Sequence, residues 1–197
     1  MKKGHIYFIM GISGAGKGTL IKNLKKLWLK NFHFPLSYKS RPIRHHEVNG
    51  KDAYFITKEE FEEWIKNHEF LEYAIVHEKD YYGTKYKDVL ENGIEKWLNV
   101  VKELDIHWLK RLLKEKPELR PYYSTIFLNI PISHLEERIK KRWDIITEEE
   151  LARRKKSAQM EEKEIAKYCD YEIDATLPEE KVVEEFLKII QKDPNLK

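Results

Sequence analysis

The sequence predicts an α/β fold built on a parallel sheet, and three observations carry that prediction. An apolar run, His5-Ile6-Tyr7-Phe8-Ile9-Met10, leads into a glycine-rich loop and then a helical pattern from Leu20 to Trp28. Ser124 to Ile130 holds no charged residue, as a strand covered on both faces requires. Elsewhere, strand-like runs alternate with charged helical ones, the pattern of a parallel-sheet core with helices on both faces.

The loop reads Gly11-Ile12-Ser13-Gly14-Ala15-Gly16-Lys17-Gly18-Thr19. Strand, glycine loop and helix in that order form the setting of a phosphate-binding loop (P-loop). Glycines let the backbone curl so that successive N–H groups point at phosphate oxygens, and the helix N-terminus adds partial positive charge. Gly11, Ser13, Gly14, Ala15, Gly16, Lys17, Gly18 and Thr19 are the candidate ATP-binding residues, with Lys17 reaching the β- and γ-phosphates. Gly18 stands where a Ser or Thr ordinarily meets Mg²⁺, which makes Thr19 the nearest hydroxyl to the metal.

Further along, Phe32 to Tyr38 reads as a short strand, and the polar stretch from Lys39 to Asp52 as loop. Tyr54 to Ile56 is extended, and Thr57-Lys58-Glu59-Glu60 is a capping box that opens a helix. Phe70 to His77 alternates as a strand, Asp80 to Thr84 reads as a turn, and Asp88 to Leu90 starts another helix. Trp97 to Leu104 is a candidate buried strand, followed by a helix near Trp108 to Leu113. Pro131 ends the central strand and Ser133 is placed to cap the next helix. A second charged helix spans Glu148 to Lys167. A strand near Tyr171 to Ile173 and a helix from Glu179 to Ile190 close the chain.

At 197 residues and 41% hydrophobic content the chain has enough material for one domain with a true core. Charged residues make up 36% but nearly cancel to +3, which argues against binding nucleic acid through bulk electrostatics. Cys169 is the one cysteine, so neither an internal disulfide nor a cysteine zinc site is available. The N-terminal apolar run is too short for a signal peptide or membrane span, so a cytoplasmic protein without a membrane partner is expected. Oligomeric state is not legible.

A second cluster supplies an acceptor site. Ser37, Arg41 and Arg44 lie close together in a loop, and two guanidinium groups suit a dianionic phosphate through paired hydrogen bonds. The run Ser37-Tyr38-Lys39-Ser40-Arg41-Pro42-Ile43-Arg44-His45-His46-Glu47-Val48-Asn49-Gly50-Lys51-Asp52 resembles the guanylate kinase signature. The likeness continues through Glu69-Phe70-Leu71-Glu72-Tyr73-Ala74 and Tyr81-Tyr82-Gly83-Thr84, and covers most of the chain.

This resemblance implies one guanylate kinase-like domain over 1–197. Its core would be 1–36, 89–131 and 161–197, with a small mixed α/β monophosphate-binding lobe at 37–88 and a helical lid at 132–160. It implies phosphoryl transfer from ATP, with Mg²⁺, to GMP and dGMP, both partners being small nucleotides. Ser37, Arg41, Arg44 and Tyr82 would hold the acceptor phosphate, and Glu72, Thr84 and Asp105 would read guanine. Guanine presents adjacent donors at N1 and N2, which a carboxylate matches because it only accepts. Glu103 would join Thr19 near the metal. Arg138 would bind ATP, and Arg142 and Arg154 would close on the transferring group together with Lys17.

Four departures stand out. Ala53 occupies the place of a family tyrosine that helps bind the acceptor phosphate. Lys39 and Ser40 replace paired threonines, and Trp108 replaces a glycine. The family's adenine-contacting asparagine has no clear counterpart among Asp174, Ala175 and Thr176. They leave other readings open: a kinase with another monophosphate or phosphorylated sugar as acceptor, a non-catalytic interaction module, or a nucleic-acid 5′-hydroxyl kinase.

Overall fold

The computed structural model describes residues 4–45, 47–76, 79–142 and 147–192. The chain divides into two units, Met1–Ile6 with Asn31–Val100 and Tyr7–Lys30 with Val101–Lys197. The elements in chain order begin β1 (Ile6–Met10), α1 (Lys17–Lys26), β2 (Phe32–His33), β3 (Tyr38–Lys39) and β4 (Tyr54–Phe55). Then come α2 (Lys58–Lys66), β5 (Phe70–Val76), β6 (Asp80–Lys85), α3 (Tyr86–Val89) and β7 (Asn99–Glu103). The rest are α4 (Ile106–Glu115), β8 (Tyr123–Asn129), α5 (Ile132–Arg142), α6 (Glu148–Ile165), β9 (Tyr171–Asp174) and α7 (Glu179–Lys192).

One sheet has the order β2-β7-β1-β8-β9, with β2–β7 and β8–β9 parallel. Every residue of β1 is buried, and the charge-free β8 is buried from Tyr123 to Leu128. Phe8 packs edge-on to Tyr123 with centroids 5.3 Å apart, and Tyr7 meets Phe186 of α7 at 6.0 Å. Helical spacing fills in the rest: α4 buries Ile106, Leu109 and Leu112, and α7 buries Val182, Val183, Phe186 and Ile190. No helix among the described residues is long and apolar enough to cross a membrane.

The second sheet has the order β4-β3-β6-β5. Its core is aromatic: Phe61 of α2 stacks on Phe70 at 4.2 Å and on Tyr81 at 5.2 Å. The capping box is present, with Thr57 accepting from the Glu60 N–H and Glu60 accepting from the Thr57 N–H.

Several sequence expectations are corrected. Phe32 to Tyr38 is two short strands rather than one, interrupted around Pro35, which has no N–H for a ladder. Asp80 to Thr84 is not a turn but most of β6, antiparallel to β5. Gly83 serves close packing there: a Cβ on it would lie 2.8 Å from the Glu72 carbonyl oxygen and 2.9 Å from Phe61. The helix at Asp88 is only the last part of the short α3. Trp97 lies outside β7 because its φ is 66°, in the left-handed region. Ser133 sits inside the first turn of α5 rather than at its cap, since the Pro131 carbonyl accepts from the N–H groups of His134 and Leu135.

Candidate active site

The glycine loop joins β1 to α1 as its sequence requires. Gly14 and Gly16 have φ of 92° and 99°, a region that side chains disfavour, and Gly16 is the cap residue just before α1. A Cβ on Gly14 would come within 2.8 Å of Leu135 Cδ1, so the loop is closed down against α5. Lys17 Nζ donates to the carbonyls of Gly11 at 2.6 Å and Ile12 at 3.2 Å. The ammonium thus lies over the mouth of the loop.

Arg138 of α5 ties the loop to the end of β9. Its guanidinium donates to the carbonyls of Ala15 at 3.1 Å and Ala175 at 2.6 Å. Beside it opens a cleft of about 250 Å³ lined by Gly14, Thr19, Asn23, Arg138, Leu177 and Val182. At its rim, Asn23 Nδ2 donates to Glu179 Oε2 at 2.7 Å. Asn23 and Leu177 were not anticipated, although Asn23 follows Thr19 by one helical turn, a spacing that signals a shared face. Asp174 is engaged locally: its Oδ1 accepts from the Thr176 N–H and hydroxyl, which holds its carboxyl below the usual range.

On the other side of the loop, the Oε1 of Glu103, at the end of β7, lies 3.4 Å from where a Cβ on Gly18 would be. Asp105 caps α4, accepting from the Trp108 N–H at 2.9 Å, and its side chain is exposed. The indole of Trp108 lies 4.8 Å beneath the Arg111 guanidinium. Burial raises the carboxyl pKa of Glu161 on α6, while the Lys17 charge opposes the rise. That carboxylate within electrostatic reach of Lys17 was not foreseen. The side chains of Arg142 and Arg154 lie outside the described ones.

In the other unit, sequence-predicted residues converge on one face of the small sheet. Arg41 is buried and grips Glu47 with both terminal nitrogens, at 2.6 and 2.5 Å, while its Nε donates to the Tyr82 hydroxyl at 2.8 Å. The Arg44 N–H adds a third bond to Glu47, at 3.0 Å. These bonds, chiefly those from Arg41, pull the Glu47 carboxyl down to about 2. Two residues beyond Tyr82 on β6, Thr84 is fully buried and donates its hydroxyl proton to Glu72 Oε1 at 2.5 Å. Glu72 and Thr84 are direct cross-strand partners. Ser37 binds the neighbouring strand, its carbonyl accepting from the Tyr54 N–H at 2.9 Å.

A guanylate kinase family model matches residues 3–192. The chain belongs to the guanylate kinase family. It is 40% identical over 168 residues to the guanylate kinase of Clostridium tetani, covering 85% of this chain and 77% of that one. The guanylate kinase of Caldanaerobacter subterraneus is 39% identical over 168 residues, covering 85% and 78%. The crystal structure of guanylate kinase from Anaplasma phagocytophilum superposes with a TM-score of 0.69 over 97% of this chain and 86% of that one. At 24% identity it supports the fold.

Family membership sharpens the meaning of Ala53. Its methyl is buried, and the adjacent phenol, Tyr54, stacks on Tyr38 at 4.9 Å. Tyr38 and Lys39 pair with Tyr54 and Phe55, so Tyr54 shares the face of Tyr38 and Lys39 shares that of Phe55. Tyr54 therefore does not replace the family's tyrosine in the Arg41 cluster.

Proposed function

We infer that the chain transfers the γ-phosphoryl group of ATP to GMP, and to dGMP, giving ADP and the diphosphate. The observation that carries this reading is the arrangement along β6. Tyr82, bonded to Arg41, and Thr84, bonded to Glu72, stand one strand repeat apart, about 7 Å, on a single face. An anion site and an acceptor-rich base site side by side on one strand face suit the two ends of a purine monophosphate.

Ser37, Arg41, Arg44 and Tyr82 hold the acceptor phosphate in this reading, and Glu72, Thr84 and Asp105 select guanine. The acceptor oxygen is already anionic, so the transfer needs alignment and charge neutralisation rather than a general base. Lys17 exchanges the Gly11 carbonyl for the β- and γ-phosphates, while loop N–H groups and Arg138 fix the rest of ATP. Arg142 and Arg154, in the lid proposed at 132–160, neutralise the group in flight and exclude water. The core and monophosphate-binding lobe keep the boundaries given above.

The residues present fit Mg²⁺ held mainly by nucleotide oxygens and water, since the Glu103 carboxylate stands beside the start of α1. No group of three or more His, Cys, Asp or Glu side chains among the described residues would hold an ion without nucleotide. Bound with ATP, the ion would offset β- and γ-phosphate charge, and Thr19 and Glu103 are the side chains to hold it.

The test is phosphate transfer from Mg-ATP to GMP, dGMP, AMP, CMP, UMP and dTMP. Turnover confined to GMP and dGMP is expected. Turnover on another acceptor alone, or ATP hydrolysis without transfer, overturns the reading.

A further inference from the structure

We propose that Lys39 is a ligand of the acceptor phosphate in this chain, supplying contacts that the buried methyl of Ala53 does not. The proposal rests on the reading of the Arg41 cluster as the acceptor-phosphate site.

Lys39 lies on β3, between Phe55 of β4 and Tyr82 of β6 in the strand register. Its Nζ is 5.7 Å from the centroid of each of those rings. Arg41, two residues on, has its guanidinium carbon over the same rings at 5.3 and 6.0 Å. Lysine and arginine thus share one patch of sheet face, in the alternation a strand imposes.

Glu47 is the carboxylate within that patch. Arg41 takes both of its oxygens, at 2.6 and 2.5 Å, and the Arg44 N–H takes a third position at 3.0 Å. Lys39 Nζ stands at 3.5 Å, longer than any of these. An ammonium has three donors, and Glu47 orients this one without exhausting it. Lys39, Arg41 and Arg44 together carry more positive charge than one carboxylate cancels, and a phosphate dianion makes up the difference. Burial, followed by the Arg41 charge, pushes the Lys39 pKa below the ordinary lysine value. The negative charge of an arriving anion would counter that lowering and favour the ammonium form. The remaining phenol of the patch is Tyr82, whose oxygen already accepts from Arg41 at 2.8 Å.

The experiment is calorimetric titration of GMP and of guanosine, without ATP, into the native chain and into K39M, K39Q and K39R. Guanosine presents the same base without the phosphate. Loss of Lys39 should weaken GMP binding about tenfold or more and leave guanosine unchanged, because a charge-assisted contact to phosphate is removed. K39R, which keeps the charge, should retain most of the GMP affinity. K39Q keeps a polar head without charge, so it should behave as K39M and stands in if the methionine variant does not fold. GMP binding by K39M and K39Q at the native level overturns the proposal, as does a parallel loss for guanosine, which marks a structural role. GMP turnover by the native chain with unchanged K39M affinity sinks Lys39 alone. A native chain that binds no GMP sinks both readings, and Lys39-dependent GMP binding without turnover supports Lys39 and sinks the catalytic reading.

Discussion

Glu72→Gln is the substitution that most directly tests base selection. The native carboxylate accepts from Thr84 at 2.5 Å and, in the proposed reading, also from the two donors of guanine. A glutamine has one acceptor and one donor head in the same space. If its oxygen stays on Thr84, its NH₂ opposes guanine, and losing a charge-assisted bond to a donor clash costs about 3 kcal/mol, or roughly 150-fold. If its oxygen turns to guanine, the Thr84 hydroxyl rotates to accept from the amide, and loss of charge alone costs about 1.5 kcal/mol, or roughly tenfold. The cheaper arrangement sets the floor. We expect kcat/KM for GMP to fall by about 10- to 150-fold, the KM for ATP to hold, and AMP to gain relative to GMP. Steady-state kinetics with both acceptors reads this directly. A folded E72Q whose GMP kcat/KM stays within about threefold of native refutes the assignment, because no orientation of the amide is that cheap.

Three further outcomes follow from the geometry. Glu47 has its folded pKa near 2 against an ordinary 4.5, so its contribution to stability is intact above pH 4.5 and is lost as pH falls toward 2. E47Q should flatten that acid limb in denaturation curves taken across the window. Arg138→Met removes the bonds to the Ala15 and Ala175 carbonyls and should raise the KM for ATP about tenfold while leaving that for GMP unchanged. Gly14→Ala forces a side chain into φ 92° and 2.8 Å from Leu135, so thermal melts should show a loss of about 1–3 kcal/mol together with weakened ATP binding.

The large sheet was legible because its signals are local. A charge-free β8 and a glycine loop between an apolar strand and a helix each follow from a few adjacent residues. The small sheet was less so. Gly83 reads as a turn residue until Phe61 and the Glu72 carbonyl are seen against it, and that crowding comes from residues distant in sequence. The same holds for Asn23 and Leu177, which meet Arg138 around a cleft that no contiguous motif spells out. The contacting residues Arg41, Tyr82, Glu72 and Thr84 were all named from the sequence, but their bonds were not.

Lys39 and Tyr54 show how far strand alternation carries the reading. Lys39 is itself a departure from the family pattern and Tyr54 adjoins another, Ala53; chemistry by residue type alone would favour the phenol of Tyr54 as the replacement ligand. Register decides otherwise. Tyr54 pairs with Tyr38 and stacks on it, and Tyr38 packs edge-on to Trp64 at 5.2 Å, so that face is taken up by aromatic contacts. Lys39 is offset by one residue and falls between Phe55 and Tyr82, beside Arg41. Moving Tyr54 into the cluster would take a one-residue slip of β4, which would also expose the stacked face and turn Phe55 away from the cations. The sheet resists that slip through the Tyr54 N–H bond to Ser37 and the Ile56 N–H bond to Lys39, at 2.9 and 3.0 Å. A change of ligand type at a neighbouring strand position is therefore the less disruptive route to a phosphate site without the family's tyrosine.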